Sequence, residues 1–328
     1  MDKFLNPYAG ENILVTGATG FIGSALCRRL SRVDAEIHVV SRREPEVSQR
    51  DLRWWKGDLA DTVWVNQLLC EIKPNLIFHL AGEVTGDRRV DLVIPALRAN
   101  LVSTVNLLTT ANELGCCRRM ILAGSFEEPE RGDLEAVPCS PYAAAKSAAS
   151  SYARMFQALY GFPVVIARIF MVYGPRQGNK FLIPYVIDSL SRGEPPKLSS
   201  GNRLVDWVYV EDVVEALLQI SLSRGIDGDT IDIGSGTLVS IRNVVEVLSK
   251  ILNSNVNPIF GALPDRPREP TRMADIARSR AAIDWLPTTS LQEGLERTVG
   301  WSESQAEGSI SATQSAGRVE KSGAGTRS

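Results

Sequence analysis

Residues 12–30 read NILVTGATGFIGSALCRRL. The apolar run NILVT breaks at Gly17, and glycine returns at Gly20 and Gly23. Beyond the break the apolar period changes: Phe21, Ile22, Ala25, Leu26 and Leu30 share one helical face. The spacing therefore predicts a strand, a tight turn and a helix. Glycines in such a turn let the backbone approach an anion closely, while the first helical amides and the positive dipole end face it. Glycine is common in loops, but here a strand precedes and a helix follows. That context makes the stretch a dinucleotide pyrophosphate site, with Gly17, Gly20, Phe21, Ile22 and Gly23 as its contact positions.

The same rhythm continues outward. EIHVVS, LRWW, NLIFHLA and RRMILAG read as buried strands, separated by helical stretches through VNQLL and up to Gly115, with another helix starting at Ser140. Such alternation gives right-handed crossovers, hence an α/β fold with a doubly wound parallel sheet and helices on both faces, over residues 11–170. After PVVIARIF the punctuation becomes denser, with GPRQGN, RGEPP, SSGN and PDRPREP, so residues 171–301 are expected to form a smaller C-terminal lobe. The tail, residues 302–328, has only Ile310 and Val319 as large apolar residues and is expected to be disordered.

Composition narrows the function. Lys and Arg number 36 against 38 Asp and Glu, a net charge of −2, so no global field recruits nucleic acid or an acidic membrane. Five cysteines show neither metal-ligand spacing nor a disulfide framework, which points to a reducing cytoplasm. The N-terminus lacks a signal-like apolar region, and no run is expected to approach a membrane span. With only His38 and His79, histidine-based metal or triad chemistry is improbable, and both read as core or loop residues.

The second strand ends in Ser41, Arg42 and Arg43, where an NAD-selective site would place a carboxylate for the ribose hydroxyls. Arginine pairs instead with an adenosine 2′-phosphate, so NADP(H) is the expected cofactor and NAD(H) the alternative. Glu44 and Glu46 keep open a plain solvated turn. Asp58 and Leu59 are candidates for the adenine side, although Asp58 also reads as a helix cap. Leu80 and Ala81 are candidates for the nicotinamide side.

At residues 123–130, AGSFEEPE, a hydroxyl and carboxylates follow a buried strand. Ser125 and Glu128 fit a capping box, S-x-x-E; Ser125 and Glu127 fit an active site. Downstream, Ser140 and Pro141 start a helix on which Tyr142 and Lys146 lie one turn apart on one face. Tyrosine titrates near pH 10, so an accessible phenolate at pH 7 needs about 4 kcal/mol of differential stabilisation. A lysine ammonium supplies part of that and holds nicotinamide ribose hydroxyls, so Tyr142 and Lys146 are both catalytic and cofactor-binding candidates.

TGATGFIG, HLAG, Ser125, YAAAK and RIFMVYGPRQ together resemble the extended short-chain dehydrogenase/reductase superfamily over residues 11 to 301. The resemblance implies a Rossmann domain, a C-terminal lobe for a nucleotide-diphosphate sugar, and Ser125, Tyr142 and Lys146 as the catalytic set. It also implies a homodimer joined through helices near 90–114 and 140–161. Met171 stands where relatives often place a nucleotide-contacting asparagine, making Asn179 the candidate replacement. Val205 stands in place of an arginine; Arg203, two positions earlier, and Arg266 in DRPRE are the candidate substrate-binding residues, with surface ion pairs as the alternative. Glu127 is the further catalytic candidate. The expected activity is NADP(H)-dependent reduction of a 4-keto nucleotide hexose. A 4,6-dehydratase, a 4-epimerase and a noncatalytic NADP-binding regulator are the alternatives.

Overall fold

The computed structural model describes residues 7–42, 51–129 and 136–305. Arg43, Glu44, Glu46 and the tail from 306 lie outside the described residues. Two compact units divide the chain, the first running to Val172 and adding Leu204–Val239 and Arg266–Thr288.

The first unit is built on β1 (Asn12–Thr16), β2 (Glu36–Ser41), β3 (Leu52–Lys56), β4 (Leu76–His79), β5 (Arg119–Ser125) and β6 (Val164–Ile169). β7 (Met171–Tyr173), β8 (Leu204–Tyr209) and β10 (Leu238–Ser240) form a separate three-stranded sheet, while β9 (Thr230–Ile233) joins the main one. The main sheet is parallel throughout, in the order β3-β2-β1-β4-β5-β6-β9. Strand order reverses between β1 and β4, where Thr16 pairs with His79; in open α/β sheets it is beyond the carboxyl ends at such a point that ligands bind.

Successive strand side chains point to opposite faces, and the core divides accordingly. Ile13 and Val15 belong to one apolar layer with Ile37, Val39, Leu76 and Phe78; Leu14, Val40 and Ile77 belong to the other. The first layer is covered by α1 (Phe21–Leu30) and α7 (Val210–Leu222), which pack together. The second is covered by α2 (Thr62–Ile72), α4 (Ser103–Leu114) and α5 (Pro141–Tyr160). Each fully buried Leu or Ile contributes about 1.5–3 kcal/mol, so both layers act as one continuous support for the strand ends.

α3 (Val93–Leu97) runs through a π-helical turn, Arg98–Val102, into α4, and Gly115 ends the helix at φ 60. The full helix, Val90–Leu114, has 25 residues and is long and apolar enough to cross a membrane, which corrects the expectation that no run approaches that length. In the structure its Leu107, Leu108 and Ala111 are buried against the sheet.

The second unit comprises Tyr173–Arg203, Ser240–Asp265 and the chain from Thr289. In it α6 (Leu182–Ser191) packs on α8 (Ile241–Ile251), and a helix spans residues 291–305. Tyr173 donates to the Leu291 carbonyl at 3.3 Å, and a Cβ on Gly294 would sit 2.1 Å from that phenol oxygen. Two expectations are corrected. Residues 171–301, expected to be predominantly a separate lobe, return to the first unit where β9 hydrogen-bonds along β6 and α9 (Ile276–Ile283) packs on β9. The expected tail at 302–328 begins as helix, through residue 305.

Candidate active site

The turn after β1 is tight because its glycines leave no room for side chains. Gly17 sits at φ +73, and a Cβ there would lie 2.7 Å from the Ala81 nitrogen. A Cβ on Gly23 would lie 2.1 Å from the Gly17 carbonyl oxygen. Gly20 caps α1 without a side-chain hydrogen bond, so no side chain of its own covers the first amides. These features fit a dinucleotide pyrophosphate at the helix N-terminus, where Phe21 and Ile22 form the first helical positions.

Below the crevice runs a chain of hydrogen bonds with a definite direction. The Ala81 amide donates to Thr16 Oγ1 at 3.1 Å, and Thr16 Oγ1 pairs with His79 Nδ1 at 2.8 Å. On the other side His79 Nε2 meets Thr104 Oγ1 at 3.0 Å, and that hydroxyl donates to the Asn100 carbonyl at 2.7 Å. Thr104 has one proton and spends it on Asn100, so His79 donates from Nε2 and accepts at Nδ1. Burial pushes the His79 pKa down to about 3, and the nearby Lys146 charge adds to the effect. Leu80 and Ala81 are held at the end of β4 by this neutral ladder. Asn100, in the π-helical turn, donates to the Glu83 and Ala96 carbonyls, and its fully buried Oδ1 finds no donor among the described residues. A Cβ on Gly82 would lie 2.4 Å from that oxygen and 3.5 Å from Lys146 Nζ.

Both readings of AGSFEEPE find a place. The Ser125 amide donates to Glu128 Oε1 at 2.7 Å and Glu128 N donates back to the Ser125 carbonyl at 3.1 Å, so Glu128 closes a turn. No helix follows this turn, through Pro129. Ser125 Oγ accepts from Glu127 N at 3.2 Å, and the Ser125 hydroxyl also bonds the Tyr142 phenol. Phe126 turns into the core, stacking on Phe170 at 5.6 Å. Cys139 directs its thiol at Glu127 Oε2, 3.7 Å away.

Ser140 caps α5, accepting from Ala143 N at 3.1 Å, which sets Tyr142 in the first turn and Lys146 one turn later. Both are buried. Lys146 Nζ donates to the Ala123 carbonyl at 2.9 Å, and burial lowers its pKa to about 8, opposed by Glu128. From sequence, the lysine is expected to favour the tyrosine anion. In the structure burial pushes Tyr142 well above its ordinary range; the Ser125 bond opposes this and the Glu127 and Glu128 carboxylates add to it. Burial thus opposes the anion that the lysine was expected to favour.

The remaining candidates are placed separately. Arg42 is exposed just beyond β2. Asp58 pairs with Arg98 at 3.4 Å and accepts from Ala60 N; the cap of α2 is Asp61, which corrects the helix-cap alternative for Asp58. Leu59 is buried, with its carbonyl accepting from Asn106. Arg266 fills the space beside Gly86, where a Cβ would lie 2.3 Å from its Nη1, and stands 3.6 Å from Glu269. Arg203 and Asn179 belong to the second unit, Asn179 on an exposed turn. β8 begins at Leu204, so Arg203 precedes the strand on which it was expected to share a face with Val205, which is itself buried. Among the described residues no three His, Cys, Asp or Glu side chains gather as a metal site.

Sequence reasoning missed Asn100, Thr16, Thr104 and Arg272. A polar residue inside an apolar helix was the available signal for Asn100. Arg272 donates from Nη1 to the carbonyls of Phe126, at 3.2 Å, and Glu128, at 2.9 Å, and no local pattern announces such a partner.

A glycine cradle at the switch point, with a phenol and an ammonium beyond the neighbouring strands, is the arrangement of the extended short-chain dehydrogenase/reductase class. The model of the NAD dependent epimerase/dehydratase family matches residues 13–234, and the chain belongs to that family of enzymes. The chain is 30% identical to a probable dTDP-glucose 4,6-dehydratase of Sinorhizobium fredii, over 88% of this chain and 92% of that one. It is 32% identical to a UDP-glucose 4-epimerase of Mycolicibacterium smegmatis, over 87% and 96% respectively. Among solved structures it is similar to MoeE5 in complex with UDP-glucuronic acid and NAD, with a TM-score of 0.80, 30% identity, and coverage of 89% of this chain and 99% of the other.

Proposed function

We propose that the protein reduces the C4 ketone of a 4-keto nucleotide hexose, with NADPH as the reductant. The observation that carries this reading is Phe126. A dehydratase must take a proton from C5 and give one to the departing C6 oxygen, so it needs an acid/base pair beyond the tyrosine. The position between Ser125 and Glu127 holds a phenyl ring packed on Phe170, which donates nothing. Bound NADPH supplies hydride to C4. Tyr142 gives its phenolic proton to the ketone oxygen, and Ser125, whose hydroxyl bonds that phenol, holds it for the transfer. Lys146 would hold the ribose hydroxyls of the cofactor. Glu127 orients a sugar hydroxyl, and Arg266, beside Gly86 in the first unit, is assigned to the nucleotide diphosphate. Arg42 at the end of β2 supports NADP(H) over NAD(H).

A 4,6-dehydratase is the second reading, favoured by Glu127 beside Ser125 and by the similarity to the Sinorhizobium enzyme. Product analysis with 4-keto and unmodified nucleotide hexoses separates the two. Reduction consumes NADPH one for one, and calorimetric titration is expected to give NADPH at least about tenfold tighter binding than NADH, since charge-assisted contacts to the 2′-phosphate supply that difference. Formation of a 4-keto-6-deoxy product with no net change in NADPH overturns the reductase reading. The five cysteines are free thiols, which supports a reducing compartment, and the exposed Val90, Val93, Ile94, Tyr152, Leu159 and Tyr160 support a homodimer formed through α3 and α5.

A further inference from the structure

The turn that presents Glu127 is held from three directions. Glu128 draws the Ser125 amide inward at 2.7 Å, Phe126 is fixed by its stack on Phe170, and Arg272 donates to the two carbonyls that flank Glu127. The side chain of Glu127 meets the Cys139 thiol at 3.7 Å. Arg272 reaches the turn from the segment that also carries Arg266, beside Gly86, and Arg88 of the 82–89 loop bonds the Pro267 carbonyl of that segment.

We propose that Arg272 is a positioning residue for Glu127: by bridging the Phe126 and Glu128 carbonyls it fixes the backbone from which that carboxylate is aimed at the sugar. The role rests on the site reading given above, but it holds whether Glu127 orients a hydroxyl or takes a proton. Two carbonyls bridged by one guanidinium leave Glu127 little freedom in φ and ψ. Loss of the bridge releases the carboxylate while Ser125, Tyr142 and Lys146 keep their own supports in β5 and α5.

Arg272→Met removes both donors and keeps the apolar stem. Turnover is expected to fall at least about tenfold while the Michaelis constant for the nucleotide sugar changes less than about threefold, the pattern of a displaced reacting group rather than lost binding. In a Glu127→Gln background the same substitution is expected to add no further loss, because both changes act through one carboxylate. A purely structural arginine would instead lower turnover and raise the Michaelis constant together, and would add its full effect to that of Glu127→Gln. Cys139 offers a readout that needs no substrate. Its alkylation by iodoacetamide, followed on its own peptide with exposed Cys70 as the reference, is expected to quicken at least threefold in Arg272→Met, because the thiol loses the carboxylate that covers it. Arg272→Lys, able to reach one carbonyl, carries the same measurement if the Met variant does not fold, with a smaller gain in rate. A Cys139 rate unchanged relative to Cys70, or additive kinetic losses, overturns the proposal. Wild-type protein that leaves 4-keto nucleotide sugars unreduced overturns the functional reading instead, and the Cys139 rate still decides Arg272.

Discussion

Lys146 is a charge kept in surroundings that oppose it. With a pKa of about 8 in the fold against about 10.4 in an open chain, the unfolded state binds the extra proton between those values. Stability therefore rises with pH across that window, by up to about 3 kcal/mol from this group, and below pH 8 the penalty is fully present. Lys146→Met is expected to lack that rise while losing catalysis. Denaturant melts of wild type and variant at pH 7.5, 8.5 and 9.5 check it; parallel curves would show that the ammonium is not strained. Functional sites commonly hold such unfavourable groups because their stability cost is what selection for activity leaves behind. Tyr142 shows the opposite displacement, raised by burial and two carboxylates, so burial disfavours the charged form of both groups.

At the scale of elements, the strand, turn and helix at 12–30 set the geometry of the cofactor crevice. The least room in it is at Gly23, where an added Cβ would lie 2.1 Å from the Gly17 carbonyl oxygen, a backbone atom with no rotamer to give. Gly23→Ala is expected to push α1 off β1 and weaken dinucleotide binding at least about tenfold, equivalent to about 1.4 kcal/mol, with the far-ultraviolet circular dichroism retained. Calorimetric titration is the measurement, and unchanged affinity would place the pyrophosphate elsewhere. That cradle was legible in the sequence because period, glycine spacing and helix start are local properties. So was α5, whose Ser140 cap and Pro141 stand beside the residues they position. Arg272 was not legible: its partners lie 146 and 144 residues away, and a hydrogen bond to a carbonyl leaves no trace in the partner's side chain. The route of the chain after β6 escaped for a related reason. β9 is only four residues long, too short for periodicity to distinguish a seventh strand from a lobe element.

At the scale of the molecule, the exposed apolar residues of α3 and α5 are too many for scattered surface hydrophobes. Val90 is 85% exposed and Leu159 68%, on helices that pack against each other within the first unit. In the homodimer proposed above, a second copy of the chain would cover both helices and complete the burial that the sheet side of α5 begins. Ile94→Glu places a charge in the middle of that face and is expected to convert a dimer to a monomer in sedimentation velocity. A monomeric wild type would show that the face is covered by something else or not at all.

The ladder from Ala81 to Asn100 carries a further meaning for how the enzyme experiences its surroundings. Imidazoles usually make a protein responsive to acid between pH 5 and 8. Here both ring nitrogens are committed, one as donor and one as acceptor, and a proton added to Nδ1 would set two donors face to face at Thr16. The fold thus places a histidine at the end of β4 and holds it neutral across the range in which imidazoles ordinarily answer to acid.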